Sequence, residues 1–412
     1  MKKIFALSLL STAALFADRA PKPSVQYADD CCKPCCIPQP KKCIDCECYT
    51  PAFYEPNGCD TGLFITADFL YWYARETGLN YAMRGRADSL TAATPLLGVV
   101  VNIQKIKHLG TQWSPGYRVG LGYQTEEDGW DLYLNYTWYH NKEKDSVTVP
   151  ANFGFDAQPF LPLPGQTVLT NPWVNLSIPS GTVAAGLRPY LFNKISAEWS
   201  FTLNDLVLEL GRKFWLSKHF TLRPYSALRG VIARRSFETI SIRNNTFVTG
   251  VSANFRDRFN NRYWGVGMEL GFQPEWYFTP NFALISNFDG ALLWGRFRDK
   301  ERETYTNQGI VIPLTYDSKI KNNFSQMQPI IDLMIGFRWD ETWACERYRT
   351  ALDFGWEQHI WINFTNQIMT LGNSLVALPF GGNTFESFPL KNMENRGDLN
   401  FGGLTIRARF DF

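Results

Sequence analysis

The chain has 412 residues, a formal net charge of +2 and an apolar fraction of 45%, with 14 Trp, 18 Tyr and 31 Phe. Beyond the first 17 residues no uninterrupted apolar stretch approaches the ~20 residues of a spanning helix, which excludes helical membrane spans. Near-balanced charge without a long basic run gives no reason to expect a nucleic-acid partner.

At the start, Lys2 and Lys3 precede an apolar run over 4–15, then Phe16-Ala17 and the polar Asp18-Arg19. A basic start, a short apolar core and a small residue before a polar break predict a signal peptide over 1–17 and export. Leu15, three positions before the cut, fits the cleavage pattern less well than a small residue would.

Residues 18–60 are rich in Pro, Cys and Lys and have no sustained period, so they read as an irregular arm. "CCKPCCIPQPKKCIDCECY" carries Cys31, Cys32, Cys35, Cys36, Cys43, Cys46 and Cys48, with Cys59 following and Cys345 far downstream. In an exported protein these thiols read as disulfide partners rather than metal ligands, although Cys43-x-x-Cys46-x-Cys48 has a spacing that could hold zinc. Neighbouring Cα atoms lie about 3.8 Å apart, below the roughly 4.4 Å lower limit usual for a disulfide, so each vicinal pair looks elsewhere for partners. Nine cysteines is an odd number, leaving at least one thiol free or paired with another chain.

From residue 61 to 412 the pattern becomes alternation. Leu63, Ile65, Ala67, Phe69, Tyr71 and Tyr73 form one apolar parity, with Thr66 and Asp68 on the other. The same signature recurs around Tyr117–Tyr123, Trp130–Trp138, Trp264–Phe272, Ile331–Trp339, Leu352–Ile360 and Leu404–Phe412. Strands with one greasy face also build β-sandwiches. Here they run to about ten residues with Tyr or Trp at the ends of the apolar parity, the length and aromatic girdles of a transmembrane β-barrel.

Candidate strands fall near 62–75, 113–124, 129–142, 192–216, 219–234, 259–278, 281–298, 326–340, 347–362 and 398–412. Short connections at 125–128, 217–218, 279–280 and 341–346 alternate with long ones, as in outer-membrane barrels with periplasmic turns and long extracellular loops. The fold expected is therefore an all-β, antiparallel barrel of ten strands with both termini periplasmic. Strand-like stretches at 99–106, 168–178 and 240–255 could raise the count to 12–16. The parity of 192–216 switches between Leu203 and Leu206, predicting a bulge or tight turn at Asn204-Asp205.

The parity facing away from lipid carries Arg118, Asp131, Arg223, Arg229, Glu269, Asp289, Asp332, Arg338, Asp353, Glu357, Arg407 and Arg409. Mixed signs predict a weakly selective aqueous path, or cross-strand pairs that brace a narrow barrel. The histidines are scattered, and no G-x-S-x-G, H-E-x-x-H or phosphate-binding glycine loop accompanies them. The expectation is no enzyme, no cofactor and no metal.

The stretches "DFLYW" (68–72), "RVGLGY" (118–123), "DGWDLYLNYTW" (128–138), "LELGRKFWLS" (208–217), "LRPY" (222–225), "RYWGVGMELGF" (262–272), "GALLWGRF" (290–297), "GWEQHIW" (355–361) and the terminal "LTIRARFDF" together resemble the Legionella-type major outer membrane protein family. That family also occurs in Chlamydia-related bacteria. The ending, with Phe410 and Phe412, also resembles the outer-membrane assembly signal. The resemblance implies a pore-forming protein, oligomerisation, and an envelope stiffened by disulfides where cysteines abound. The arm lies outside it. The function expected is thus a porin for small solutes and ions that is also a cross-linked envelope protein, in contact with outer-membrane lipids. The alternative is a surface protein or adhesin whose barrel is an anchor, favoured if the strands number ten.

Overall fold

The structure, a computed structural model, describes residues 62–87, 101–125, 130–150, 167–173, 192–217, 219–244, 252–308, 315–343, 348–371 and 391–412. The expected signal peptide, the Cys-rich arm and all nine cysteines lie outside these residues.

The strands are β1 (Gly62–Glu76), β2 (Asn80–Ala87), β3 (Val101–His108), β4 (Trp113–Gln124), β5 (Trp130–Thr148), β6 (Thr167–Thr170), β7 (Lys194–Arg212), β8 (Phe214–Ser217), β9 (Phe220–Asn244), β10 (Ser252–Thr279), β11 (Phe282–Gln308), β12 (Thr315–Trp343), β13 (Tyr348–Leu371) and β14 (Lys391–Asp411). Ten of them close in the order β1-β4-β5-β7-β9-β10-β11-β12-β13-β14, with β14 returning to β1. Every pairing is antiparallel, and closure leaves no bare sheet edge. The short connections fall at one end of the barrel, called here the turn end.

Outside, exposed Leu121, Leu132, Leu208, Leu228, Met268, Leu270, Leu292, Ile335, Phe337 and Phe354 make a continuous apolar belt. A patch of this extent on a protein in water would drive association; in hydrocarbon it needs no further partner. Exposed Trp264, Trp294, Trp356 and Tyr117 border the belt.

β10, β11 and β12 are 28, 27 and 29 residues long, whereas a tilted strand crosses a bilayer in about 9–11. The surplus carries the sheet well past the belt at the end away from the turns, the extended end. Here the faces exchange character. On β7, Leu206, Leu208 and Leu210 point outward beside inward Asp205, Val207 and Glu209; further along, Trp199, Phe201 and Leu203 are buried inside while Glu198, Ser200 and Thr202 face out. The strand stays in one unbroken register with both β5 and β9, so the bulge expected at Asn204-Asp205 does not exist. The hydrophobic parity changes there because the medium outside changes from apolar to aqueous, not because the backbone kinks.

The same inversion explains the other difference from the sequence expectation. The stretch at 240–255 is not an added hairpin but the extension of β9 and β10. Segments 99–106 and 168–178 contribute β3 and β6, which pair with β2 in a separate three-stranded sheet rather than entering the barrel. That sheet tucks its buried Tyr81, Val168 and Leu169 against the extended end. Trp173 sits edge-on to Phe237 and Phe259, with ring centroids 5.9 and 5.4 Å away. Asn171 donates to the hydroxyls of Thr239 (3.1 Å) and Ser241 (2.9 Å) on the inner face of β9.

Candidate functional site in the barrel lumen

At the turn end the lumen opens into a cavity of about 380 Å³ that holds Asp131, Arg223, Arg409, Lys213, Glu275 and Arg349. Strand alternation turns these polar residues inward because lipid claims the opposite parity. Arg338 clamps both oxygens of Asp353 (2.7 and 2.8 Å) and also pairs with Glu275, which Lys213 reaches at 2.9 Å. Arg223 pairs with Asp131 and, at 3.0 Å, with Glu209. Phe64 lies over Gly122, where a side chain would collide with the ring.

A second cavity of about 120 Å³ follows at mid-barrel. Arg229 is its hub, contacting Asp205 (2.6 Å), Glu269 (2.9 Å) and Asp332 (2.6 Å). His359 Nδ1 lies 2.8 Å from Asp332 Oδ1, and the other ring nitrogen lies 3.5 Å from Glu357. Glu357 is paired with Arg118 (2.8 Å), which continues to Asp68 (3.1 Å), and Asp68 to Arg407 (2.9 Å). The network therefore crosses the lumen: β9 is joined to β12, and β4 to β13, across strands that are not neighbours. Such pairs, most with little solvent access, hold a ring in shape; removing one member leaves a buried charge unbalanced.

Among the described residues, the carboxylates of Glu269, Asp289 and Asp332 have ligand oxygens within 4.8 Å of one another. Arg229 Nη1 already contacts two of these groups, and Asp289 accepts from Tyr225 (3.2 Å) and Asn287 (2.7 Å). Arg229 thus already supplies a positive charge to two of the three carboxylates.

Above His359 the lumen becomes aromatic. Trp72, Tyr139, Phe201, Tyr263, Phe297, Trp361, Phe364 and Phe401 are each no more than 1% exposed. Rings from non-neighbouring strands meet at Trp72–Tyr139 (5.5 Å) and Phe401–Phe201 (5.6 Å), and rings on adjacent strands complete the layer at Phe401–Trp361 (5.7 Å) and Tyr263–Phe297 (4.5 Å). On the outer face at this level, Gly403 takes φ 149° beneath Trp113; a Cβ there would lie 2.5 Å from the indole.

Beyond the aromatic layer, buried Glu76 pairs with Arg235 and accepts from Trp199 Nε1 at 2.7 Å. Farther on, Asp257 faces Glu303 across β10 and β11, with Glu301 next to them opposite Phe259. Asp257 is fully buried, and neither of its oxygens accepts a hydrogen bond from another described residue. Burial first, and then Glu303, pushes Glu301 up to about 8 and holds Asp257 well above the usual carboxylate range.

Of the residues expected on the lumen face, Asp131, Arg223 and Arg409 line the turn-end cavity, and Arg118, Arg229, Glu269, Asp289, Asp332, Arg338, Asp353, Glu357 and Arg407 line the mid-barrel cavity. Asp68, Asp205, Glu209, Glu275, Lys213 and His359 belong to the same network but were not among the expected residues. Strand parity marks Asp68 and His359 directly; Asp205 is obscured by the exchange of faces. Phe410 and Phe412 lie on the exposed outer surface at the turn end, with Tyr348 stacked 5.9 Å from Phe410. The disulfide candidates lie outside the described residues.

A closed antiparallel ring with a lipid-facing belt and a polar lumen defines an outer-membrane β-barrel of the bacterial type. The chain belongs to the family described as Legionella pneumophila major outer membrane protein precursor, whose model matches residues 58–412. No curated protein matches the sequence. Among solved structures, it is similar to the outer membrane protease OmpT from Escherichia coli, at 10% identity and TM-score 0.33, over 85% of this chain and 96% of that one. It is also similar to the toluene transporter TodX of Pseudomonas putida, at 8% identity and TM-score 0.28, over 85% and 89%. Neither likeness is close enough to carry a substrate or an activity to this chain.

Proposed function

We propose that the protein is a structural barrel of the bacterial outer membrane, closed to free diffusion in this conformation, that anchors an extended surface platform. The observation that carries this reading is the aromatic layer around Trp72, Phe201, Trp361 and Phe401, which bridges the lumen above the charged cavities. The 167–173 segment adds a second closure on the same side. The turn end faces the periplasm with Phe412, and the extended end faces outward. The role is not enzymatic: His359 is held between carboxylates and braces the wall. Disulfides from Cys31, Cys32, Cys35, Cys36, Cys43, Cys46, Cys48, Cys59 and Cys345, some to other copies or envelope proteins, would stiffen the layer from the periplasmic side.

Purified protein in planar bilayers should show no stepwise conductance at rest. Regular conductance steps would sink this reading and favour a second one, a weakly selective pore for small solutes and ions. The two connected charged cavities, open at the turn end, favour that alternative. Under it, the aromatic layer is a gate, and Phe401→Ala should raise conductance above that of the parent.

A further inference from the structure

The outer face just beyond the belt on β9–β12 is strongly basic. In one row of the sheet Arg234, Arg262 and Arg298 lie directly opposite one another on three adjacent strands. Two residues further along, Lys300 faces Lys321. Arg296 lies opposite Trp264, at the edge of the belt and two residues from Trp294. All these cations are exposed, and none makes an ion pair or hydrogen bond with another described residue.

Like charges directly opposite in a sheet repel, so the arrangement asks for an anion from outside the chain. Other surface cations on these strands are already answered. Glu238 pairs with Arg256 and Arg258, and Asp317 with Arg302 (3.0 Å) and Lys319 (3.1 Å). On β5, Lys142 and Lys144 share Glu198 at 2.5 and 2.6 Å. On β9–β12 the unanswered outward cations thus lie in the rows nearest the lipid.

Depth identifies the anion. Tryptophan girdles sit at headgroup level, and successive outward residues on a strand are roughly 6.6 Å apart. The arginine row therefore lies within one step of the headgroup plane. With strands about 4.8 Å apart, the patch spans roughly 14 Å across β9–β12, the scale of a sugar-phosphate headgroup. Arginine forks suit bidentate phosphate recognition.

We propose that this face docks a phosphorylated glycolipid of the surrounding outer leaflet, its phosphates on Arg234, Arg262 and Arg298 and its acyl chains along Val266, Met268 and Leu292. The choice of an outer-leaflet lipid rests on the orientation given above. The test titrates fluorescent lipid A bisphosphate into the full-length protein in neutral detergent, beside dephosphorylated lipid A, phosphatidylethanolamine and inorganic phosphate. Saturable binding is expected for the bisphosphate, falling at least tenfold on dephosphorylation and at least tenfold in an R234S/R262S/R298S variant. R302Q, whose parent arginine already has a carboxylate partner, should bind as the parent does. Retention of the heat-modifiable folded band on gels keeps misfolding of the triple variant from passing for lost binding. Equal binding by the triple variant or by dephosphorylated lipid overturns the proposal. Displacement by millimolar inorganic phosphate overturns the lipid assignment in favour of a free anion. Surface labelling of a tag inserted at 309–314 in intact cells reads the orientation separately: a hidden tag with in vitro binding retained overturns the orientation, whereas an exposed tag with no binding overturns the lipid site.

Discussion

The belt and the extended end are built from the same strands, yet they are inside-out copies of each other. Within the belt, apolar side chains face out and ion pairs fill the lumen. Beyond it, aromatic side chains fill the lumen and cations face out. Backbone pairing is continuous through the change. A β-strand does not know which face is core; the medium on each side decides, and one ladder serves both solutions.

The sharpest way to break this contrast is at the hub of the polar interior. Arg229→Met leaves Asp205, Glu269 and Asp332 uncompensated in a buried site, with an expected loss of about 3–5 kcal/mol. Urea unfolding in lipid vesicles measures it. Arg234→Met, only five residues along the same strand but outward and unpaired, should move the midpoint little. Next in size is a charge introduced on the outer face. Leu208→Arg, in the middle of the β7 belt, should cost about 2–4 kcal/mol. Ser196→Arg shares its strand and its outward parity but lies beyond the exchange, and should stay within about 0.5 kcal/mol. Equal losses at the two positions would mean that the exchange of faces is not a membrane boundary.

The smallest effect is on pH dependence at the extended end. The folded protein keeps protons on Glu301 and Asp257 that the unfolded chain has released, because burial and the neighbouring Glu303 raise both groups. Folding stability attributable to them therefore falls as pH rises from the ordinary carboxylate range through about 8. Asp257→Asn should flatten that slope in thermal unfolding between pH 5 and 9, windows chosen to bracket about 8. A slope unchanged by the substitution would show that these carboxyls do not titrate in the folded protein as proposed.

Much of the fold was legible in the sequence. Ten barrel strands, their turn connections and the lumen parity follow from period-2 alternation, because a lipid exterior imposes one uniform demand on every strand. What alternation could not deliver is where strands end. Beyond the belt the exterior becomes water, the parity signal reverses, and the reversal at Asn204-Asp205 looks like a bulge. The ion pairs that cross the lumen were equally hidden. Arg118 meets Glu357, and Arg229 meets Asp332, across strands that do not pair with each other, so no local pattern records which charges meet.

One consequence lies in the seam. β1 pairs with β14, so Phe64 stands opposite Asp411 and Glu76 opposite Leu399. These contacts join the two most distant parts of the barrel sequence, and their loop-closure entropy must be met before either strand has a full set of partners. Until the seam forms, the nascent sheet carries two open edges capable of pairing with any other strand. The slowest event in assembly should therefore be the last: a nearly complete ribbon held at both edges, by machinery or by membrane, until its first strand finds its final one.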